Sequence, residues 1–340
     1  MVVASSSRTE TRSGTYSVVV AVSLILVVVL GGFLVAAATN DEEDETTCSS
    51  NISNTNPQVE AHPDDPGLLL YHFDSTSSTQ DEARRVAEEN VNRKIDDKVH
   101  AFCVTSTEQT NGRGTSGRMW MGARGNTFVT IGIKQSTWME GLRSVPLTLL
   151  PLRIGSLVAS RVQELLDRCK AIDESGVAPM VTVKWPNDVL VNEKKISGVL
   201  IESSSNGWFL IGIGVNIAYA PVVPSSGPNH GRTSTCVQEY CPSRDWNRQA
   251  DDKARQLGVD LATDLTQWLQ KMTTGASPQE ASSSVLNDWK KYVDWDMELV
   301  MRDTPNRERV RMIDLLPDGR IQVARKDDGV IRTLVSDYFL

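Results

Sequence analysis

The chain has 340 residues, of which 40% are hydrophobic and 23% charged, with a formal net charge of −8 and an isoelectric point near 5.2. That length allows one large domain and a small one with extra segments, and the acidic balance argues against a general nucleic-acid binder, which is usually basic. The five cysteines (Cys48, Cys103, Cys169, Cys236 and Cys241) form no CxxC pair, which speaks against a zinc site. Cys236 and Cys241 are close enough in sequence to bridge a loop in an oxidising compartment.

Residues 1–16 carry Arg8 and Arg12; residues 17–38 are then apolar and uncharged, about the length that spans a bilayer. The basic flank is expected to stay cytoplasmic and to send the rest of the chain across the membrane. A cleaved signal peptide is the competing reading, since Ala36, Ala37 and Ala38 suit a cleavage site. Residues 39–66 are acidic, then rich in Ser, Thr, Asn and Pro, and read as a disordered linker. They hold one glycosylation sequon, Asn51-Ile52-Ser53.

From Gly67 the pattern becomes mixed α and β. Leu68 to Phe73 reads as a strand, and Ser78-Thr79-Gln80-Asp81-Glu82 as a helix start with capping-box spacing at Ser78–Asp81 and Thr79–Glu82. Ala101 to Val104 and Thr127 to Ile133 are predicted strands, and Leu147 to Leu166 a long helix with Pro151 in its first turn. Val181 to Trp185 is a strand, followed by a hairpin of Val189–Val191 and Ile196–Glu202 and a strand from Trp208 to Ile213. Residues 220–246 read as a long surface loop. Gln249–Met272 and Pro278–Tyr292 are helices, the second capped by Ser277. Short alternating strands after Asp294, with a Pro317-Asp318-Gly319 turn, suggest a small β-barrel.

The chemistry concentrates in a few segments. Gly112-Arg113-Gly114-Thr115-Ser116-Gly117-Arg118 joins glycines, which let backbone approach a ligand, to arginines, which fork onto phosphate or carboxylate. It lacks the Gly-Lys-Ser/Thr ending of a Walker loop. Lys184-Trp185-Pro186-Asn187-Asp188 ends a strand in a corner that presents an amide beside a carboxylate; Asp188 suits a hard cation and Lys184 a phosphate. Lys195, at the start of the next strand, can stabilise developing negative charge. Gly212-Ile213-Gly214-Val215-Asn216 closes a strand against which a ligand can lie. Taken singly, these segments also read as a solvated loop, an Asn-Asp turn, a turn lysine and a glycine-bearing strand.

In this order and spacing, together with Gln109, Trp120 and the Ser78-Thr79-Gln80 entry, they resemble the biotin protein ligases over residues 67–340. The resemblance implies an α+β fold: a mixed sheet with packed helices, class II synthetase-like, at 67–293, and an SH3-like β-barrel at 294–340. It implies that biotin lies against Ser78, Thr79, Gln109, Gly112 and Arg113, with Lys195 near its carboxylate. ATP would use Gly112, Arg113, Gly114, Arg118, Lys184, Asn187, Asp188 and Asn216, with Trp120 near adenine and Asp188 on Mg²⁺. Lys195, Arg113, Arg118 and Asp188 would be the catalytic set, the product biotinyl-5′-AMP, and the acceptor a lysine of a biotin carboxyl carrier domain. A homodimer stays open. Thr115 and Ser116 stand where many members have arginines, and nothing in residues 1–66 resembles the DNA-binding domain of the repressor members. The rival readings are a lipoate or octanoate transferase and a silent, membrane-tethered binding protein of the same fold. A catalytic domain beyond the membrane would not meet carriers of cytosol or plastid directly, unless the secretory route leads to a plastid.

Overall fold

The computed structural model describes residues 56–92, 99–142, 145–171, 176–224, 231–241, 249–301 and 307–335. The apolar segment 17–38, the sequon at Asn51 and Cys48 lie outside the described residues. No helix among the described residues is long and apolar enough to cross a membrane.

The strand-forming runs build an eight-stranded sheet. In chain order its members are β1 (Gln58–His62), β2 (Asp65–Thr76), β3 (Ala101–Gln109), β6 (Thr127–Lys134), β7 (Val181–Lys184), β8 (Asp188–Val191), β9 (Lys194–Ser203) and β10 (Trp208–Val215). Between β3 and β6 stands a two-stranded ribbon, β4 (Gly112–Arg113) with β5 (Met119–Trp120). The spatial order is β1-β2-β3-β6-β10-β9-β8-β7. Helix α1 (Thr79–Asn92) carries the chain from β2 to β3, the parallel pair; the other neighbours are antiparallel, so the sheet is mixed.

Period-two alternation decides which helix covers which face. Phe102 and Val104 of β3 meet Ala83, Val86 and Ala87 of α1 in one cluster. Ala101 and Cys103, on the opposite face, join the main core with α2 (Leu149–Arg168) and α3 (Ala250–Gly275). Each fully buried Leu, Ile or Val contributes about 1.5–3 kcal/mol, so the main core carries most of the stability. Helix α4 (Pro278–Lys290) has the expected Ser277 cap, and Glu280 completes a capping box. Arg153 of α2 bonds Asp288 of α4 at 2.7 Å and lies 4.9 Å above the Trp268 ring of α3.

Several expectations change. The capping box at α1 does not form: Ser78 Oγ accepts from the Gln80 amide, Asp81 pairs with Arg113, and Glu82 accepts from Thr76 and pairs with Arg85. The end of the 39–66 stretch supplies β1, an exposed edge strand held by backbone pairing to β2. Among the described residues, the C-terminal strands β11 (Glu298–Val300), β12 (Arg309–Leu315), β13 (Ile321–Arg325) and β14 (Ile331–Leu334) form an open antiparallel meander, not a closed barrel. They share the main core through Leu299, Val310, Met312 and Val323 instead of enclosing their own. Gly319, at φ +82°, sits so close to α2 that an added Cβ would lie 2.9 Å from Leu149 Cδ2.

The cysteine expectation is also corrected. Cys241 is bonded to Cys169 at the end of α2, with Cα atoms 5.5 Å apart, and Cys236 is free and buried. The chain between Cys236 and Cys241 turns through a short 3₁₀ helix, Val237–Glu239, and that turn points the two side chains to different neighbours. The 220–246 loop is therefore not all surface: Thr235, Val237, Tyr240 and Cys241 are buried.

Candidate active site

A cavity of about 370 Å³ opens between the start of α1, the β4–β5 ribbon, the ends of β9 and β10, and residues 221–224 and 231–234. Among the predicted residues it is lined by Ser78, Thr79, Gln109, Arg113, Gly114, Arg118, Trp120, Lys184, Asn187, Asp188, Lys195 and Asn216. Gly112 stands just behind, where an added Cβ would fall 2.4 Å from the Trp120 carbonyl and 2.5 Å from Gln109 Nε2.

One end of the cavity is neutral and hydrogen-bonded throughout. The Thr79 amide and hydroxyl both donate to Gln109 Oε1, at 2.8 and 3.1 Å. Thr130 Oγ1 lies 3.0 Å from both Thr79 Oγ1 and Gln80 Oε1, and Gln80 Nε2 donates to the Leu210 carbonyl at 3.1 Å. Ser78, Thr79, Gln80, Gln109 and Thr130 are all buried. A buried polar group without a partner is costly, so such a network fixes its own geometry.

The other end is charged. The Trp185–Pro186 peptide is cis, and after it Asn187 Nδ2 donates to the Val199 carbonyl at 2.7 Å, clipping the corner to β9. Trp185 Nε1 donates to the Gly319 carbonyl at 2.9 Å, so the C-terminal meander braces the same corner. This presents Asp188 to Lys195 at 2.6 Å and to Lys184 at 3.4 Å. Burial pushes the Asp188 carboxyl up, but the Lys195 and Lys184 ammoniums, the Lys195 hydrogen bond and the Arg118 charge outweigh it and hold it at about 2. Two lysines and an arginine around one carboxylate leave the cluster net positive, which suits an anionic ligand.

The two asparagines serve the frame. Besides Asn187, Asn216 Nδ2 donates to the Thr235 carbonyl at 3.1 Å. The backbone at 233–235 runs beside Lys195: the Lys195 amide donates to Thr233 and the Thr235 amide to Lys195, at 2.8 and 2.9 Å. Among the described residues no group of three or more His, Cys, Asp or Glu is arranged to hold a metal ion.

The glycine-rich loop contributes Arg113, Gly114, Thr115 and Arg118 to the cavity wall. Arg113 reaches outward to Asp81 at 2.9 Å and Glu202 at 3.4 Å. The Trp120 indole lies against Gly198 and Gly214, where added Cβ atoms would fall 3.1 and 2.3 Å from its ring, and Lys195 Nζ is 5.7 Å from its centroid. The buried Trp120 Nε1 has no hydrogen-bond partner among the described residues.

Sequence reasoning missed Thr130, Thr115, Gly198 and the 231–234 stretch as lining. Thr130 left a signal, a lone hydroxyl in the apolar run Phe128-Val129-Thr130-Ile131. Arg232 and Ser234 left none, because their loop carries no periodicity.

Residues 73–217 match the biotin/lipoate A/B protein ligase family. The biotin–[acetyl-CoA-carboxylase] ligase of Paracoccus denitrificans is 34% identical over 122 residues, 35% of this chain and 45% of that protein. The bifunctional ligase/repressor BirA of Bacillus subtilis is 30% identical over 159 residues, 45% of this chain and 41% of that protein. The matched residues thus span less than half of either relative. Among solved structures, the biotin protein ligase of Aquifex aeolicus in complex with biotin and ATP is alike in fold, with a TM-score of 0.53 at 20% identity over 80% of this chain and 97% of that one.

Proposed function

We propose that this chain, whose residues 73–217 match the biotin/lipoate A/B protein ligase family, is an ATP-dependent biotin protein ligase. The observation that carries the reading is the pairing, in one cavity, of a neutral hydrogen-bonding end with a net-positive end built on Asp188, Lys184, Lys195 and Arg118. A cyclic urea is neutral and polar and matches the Ser78–Thr79–Gln109 end. A carboxylate and a triphosphate repel each other and need the positive end before they can meet.

In the first step a biotin carboxylate oxygen attacks the α-phosphorus of ATP, the bond to pyrophosphate breaks, and biotinyl-5′-AMP forms. Lys195 offsets the charge that gathers on the carboxylate and α-phosphate, and Lys184 and Arg118 take charge on the leaving pyrophosphate. Trp120 and the loop shield the mixed anhydride from water. In the second step a neutral carrier lysine attacks the acyl carbon and AMP leaves. A magnesium ion bound with the nucleotide would be held by the Asp188 carboxylate, whose oxygens face Lys195 and Lys184, and would supply further neutralisation of phosphate charge.

Compartment belongs to the same proposal. The Cys169–Cys241 bond fits an oxidising environment, and Arg8 and Arg12 ahead of residues 17–38 fit export of the C-terminal part. Peptide mapping without reductant, on protein from its native source, should recover the Cys169–Cys241 pair; recovery of both as thiols contradicts this placement. For the activity, full chain, ATP, biotin and a carrier domain should give carrier biotinylated on one lysine. Modification by lipoate or octanoate, with none by biotin, moves the assignment to the transferases of the family.

A further inference from the structure

We propose that Thr115 is a positioning residue for adenylation that acts by seating the guanidinium of Arg118; the role rests on the ligase reading above. Arg118 Nε donates to the Thr115 carbonyl at 3.1 Å and Nη2 to the Thr115 hydroxyl at 2.7 Å. The loop is closed around this pair. The Gly114 amide donates to the Arg118 carbonyl at 2.8 Å, the Arg118 amide to the Thr115 carbonyl at 3.3 Å, and Gly117 takes the left-handed φ of +71° that the turn requires. Both Thr115 and Arg118 line the cavity. The Arg118 charge is felt at Asp188, where it helps to keep the carboxyl ionised. The fork is thus held at the cavity wall, within electrostatic reach of the cluster at which phosphate charge must be met.

The physical argument concerns freedom. An arginine on a glycine-rich loop has many rotamers, and ordering it on nucleotide binding costs side-chain entropy. Holding its planar fork at two points beforehand removes part of that cost. The Thr115 hydroxyl is an acceptor at the right place for that arginine, whose direction is thereby set.

The test is Thr115→Val, which keeps size and branching and removes the acceptor, beside Thr115→Ser, which keeps it. Biotin-dependent ATP–pyrophosphate exchange is measured on the full chain. Thr115→Val should raise KM for ATP about tenfold, the scale of a hydrogen bond to a charged group, with KM for biotin within about twofold. Thr115→Ser should restore the ATP value. In an Arg118→Ala background, Thr115→Val should change nothing further, because the partner is gone. The proposal is overturned by an unchanged KM for ATP in Thr115→Val, by Thr115→Ser failing to restore it, by equal rises for ATP and biotin, or by undiminished effects on Arg118→Ala. Absence of exchange in the wild-type chain would instead overturn the ligase reading, and this role with it.

Discussion

The two ends of the cavity are built on opposite principles. Around Thr79, Gln109, Gln80 and Thr130, each group satisfies a neighbour and no net charge is stored, so the geometry is set before any ligand arrives. Around Asp188, opposite charges hold each other in place, and a ligand must take over part of that pairing. The neutral end is suited to selecting shape and hydrogen-bond pattern, the charged end to lowering a barrier. A residue's chemistry is therefore less informative than which kind of network holds it.

The contrast can be broken at its charged end first. Lys195→Ala should lower kcat for exchange about 10²–10³-fold, the scale of removing one donor to developing charge, while KM for biotin changes little. A comparable rise in KM with kcat preserved would place Lys195 in binding alone. Next in size is the tether behind that end. The Cys169–Cys241 bond closes a sequence separation of 72 residues. Replacing both with serine should lower unfolding stability by about 2–4 kcal/mol, read by denaturant melts, with exchange retained where the variant is folded.

Asp188 gives a pH signature. Its folded pKa, about 2, lies below the ordinary aspartate value of 3.8. Its contribution is thus fully present above the unfolded value and is lost as pH falls through the folded one. The magnitude is about 2 kcal/mol. Acid titration of stability should show this loss between roughly pH 4 and 2 in the wild type and lack it in Asp188→Asn. The smallest effect sharpens the neutral end: Thr130→Val removes one buried hydroxyl and should raise KM for biotin about tenfold, leaving KM for ATP in place. An equal rise for both would dissolve the distinction between the ends.

Much of the frame was legible because it rests on local rules. The strands β3 and β6, the Ser277–Pro278 start of α4 and the β8–β9 hairpin follow from apolar runs, capping and turn chemistry. The hairpin turn is Asn192 and Glu193, both at positive φ. The glycine loop, the Lys184–Asp188 corner, Lys195 and Asn216, which the sequence presents as separate segments, come to one cavity. What was hidden depends on long-range packing. The open C-terminal meander follows from a shared core, which no local pattern records. Cys241 chose Cys169 over its sequence neighbour because the 3₁₀ turn and α2 bring them together. Arg113 was read as a ligand group, and it is now paired to Asp81 and Glu202, contacts from α1 and β9 that spacing does not reveal.

The most direct measurement is ATP–pyrophosphate exchange by the purified full chain, with biotin, lipoate and octanoate supplied in turn. The account requires exchange with biotin and background rates with the other two. A folded protein that exchanges with lipoate or octanoate and not with biotin, or with none of the three, would contradict it.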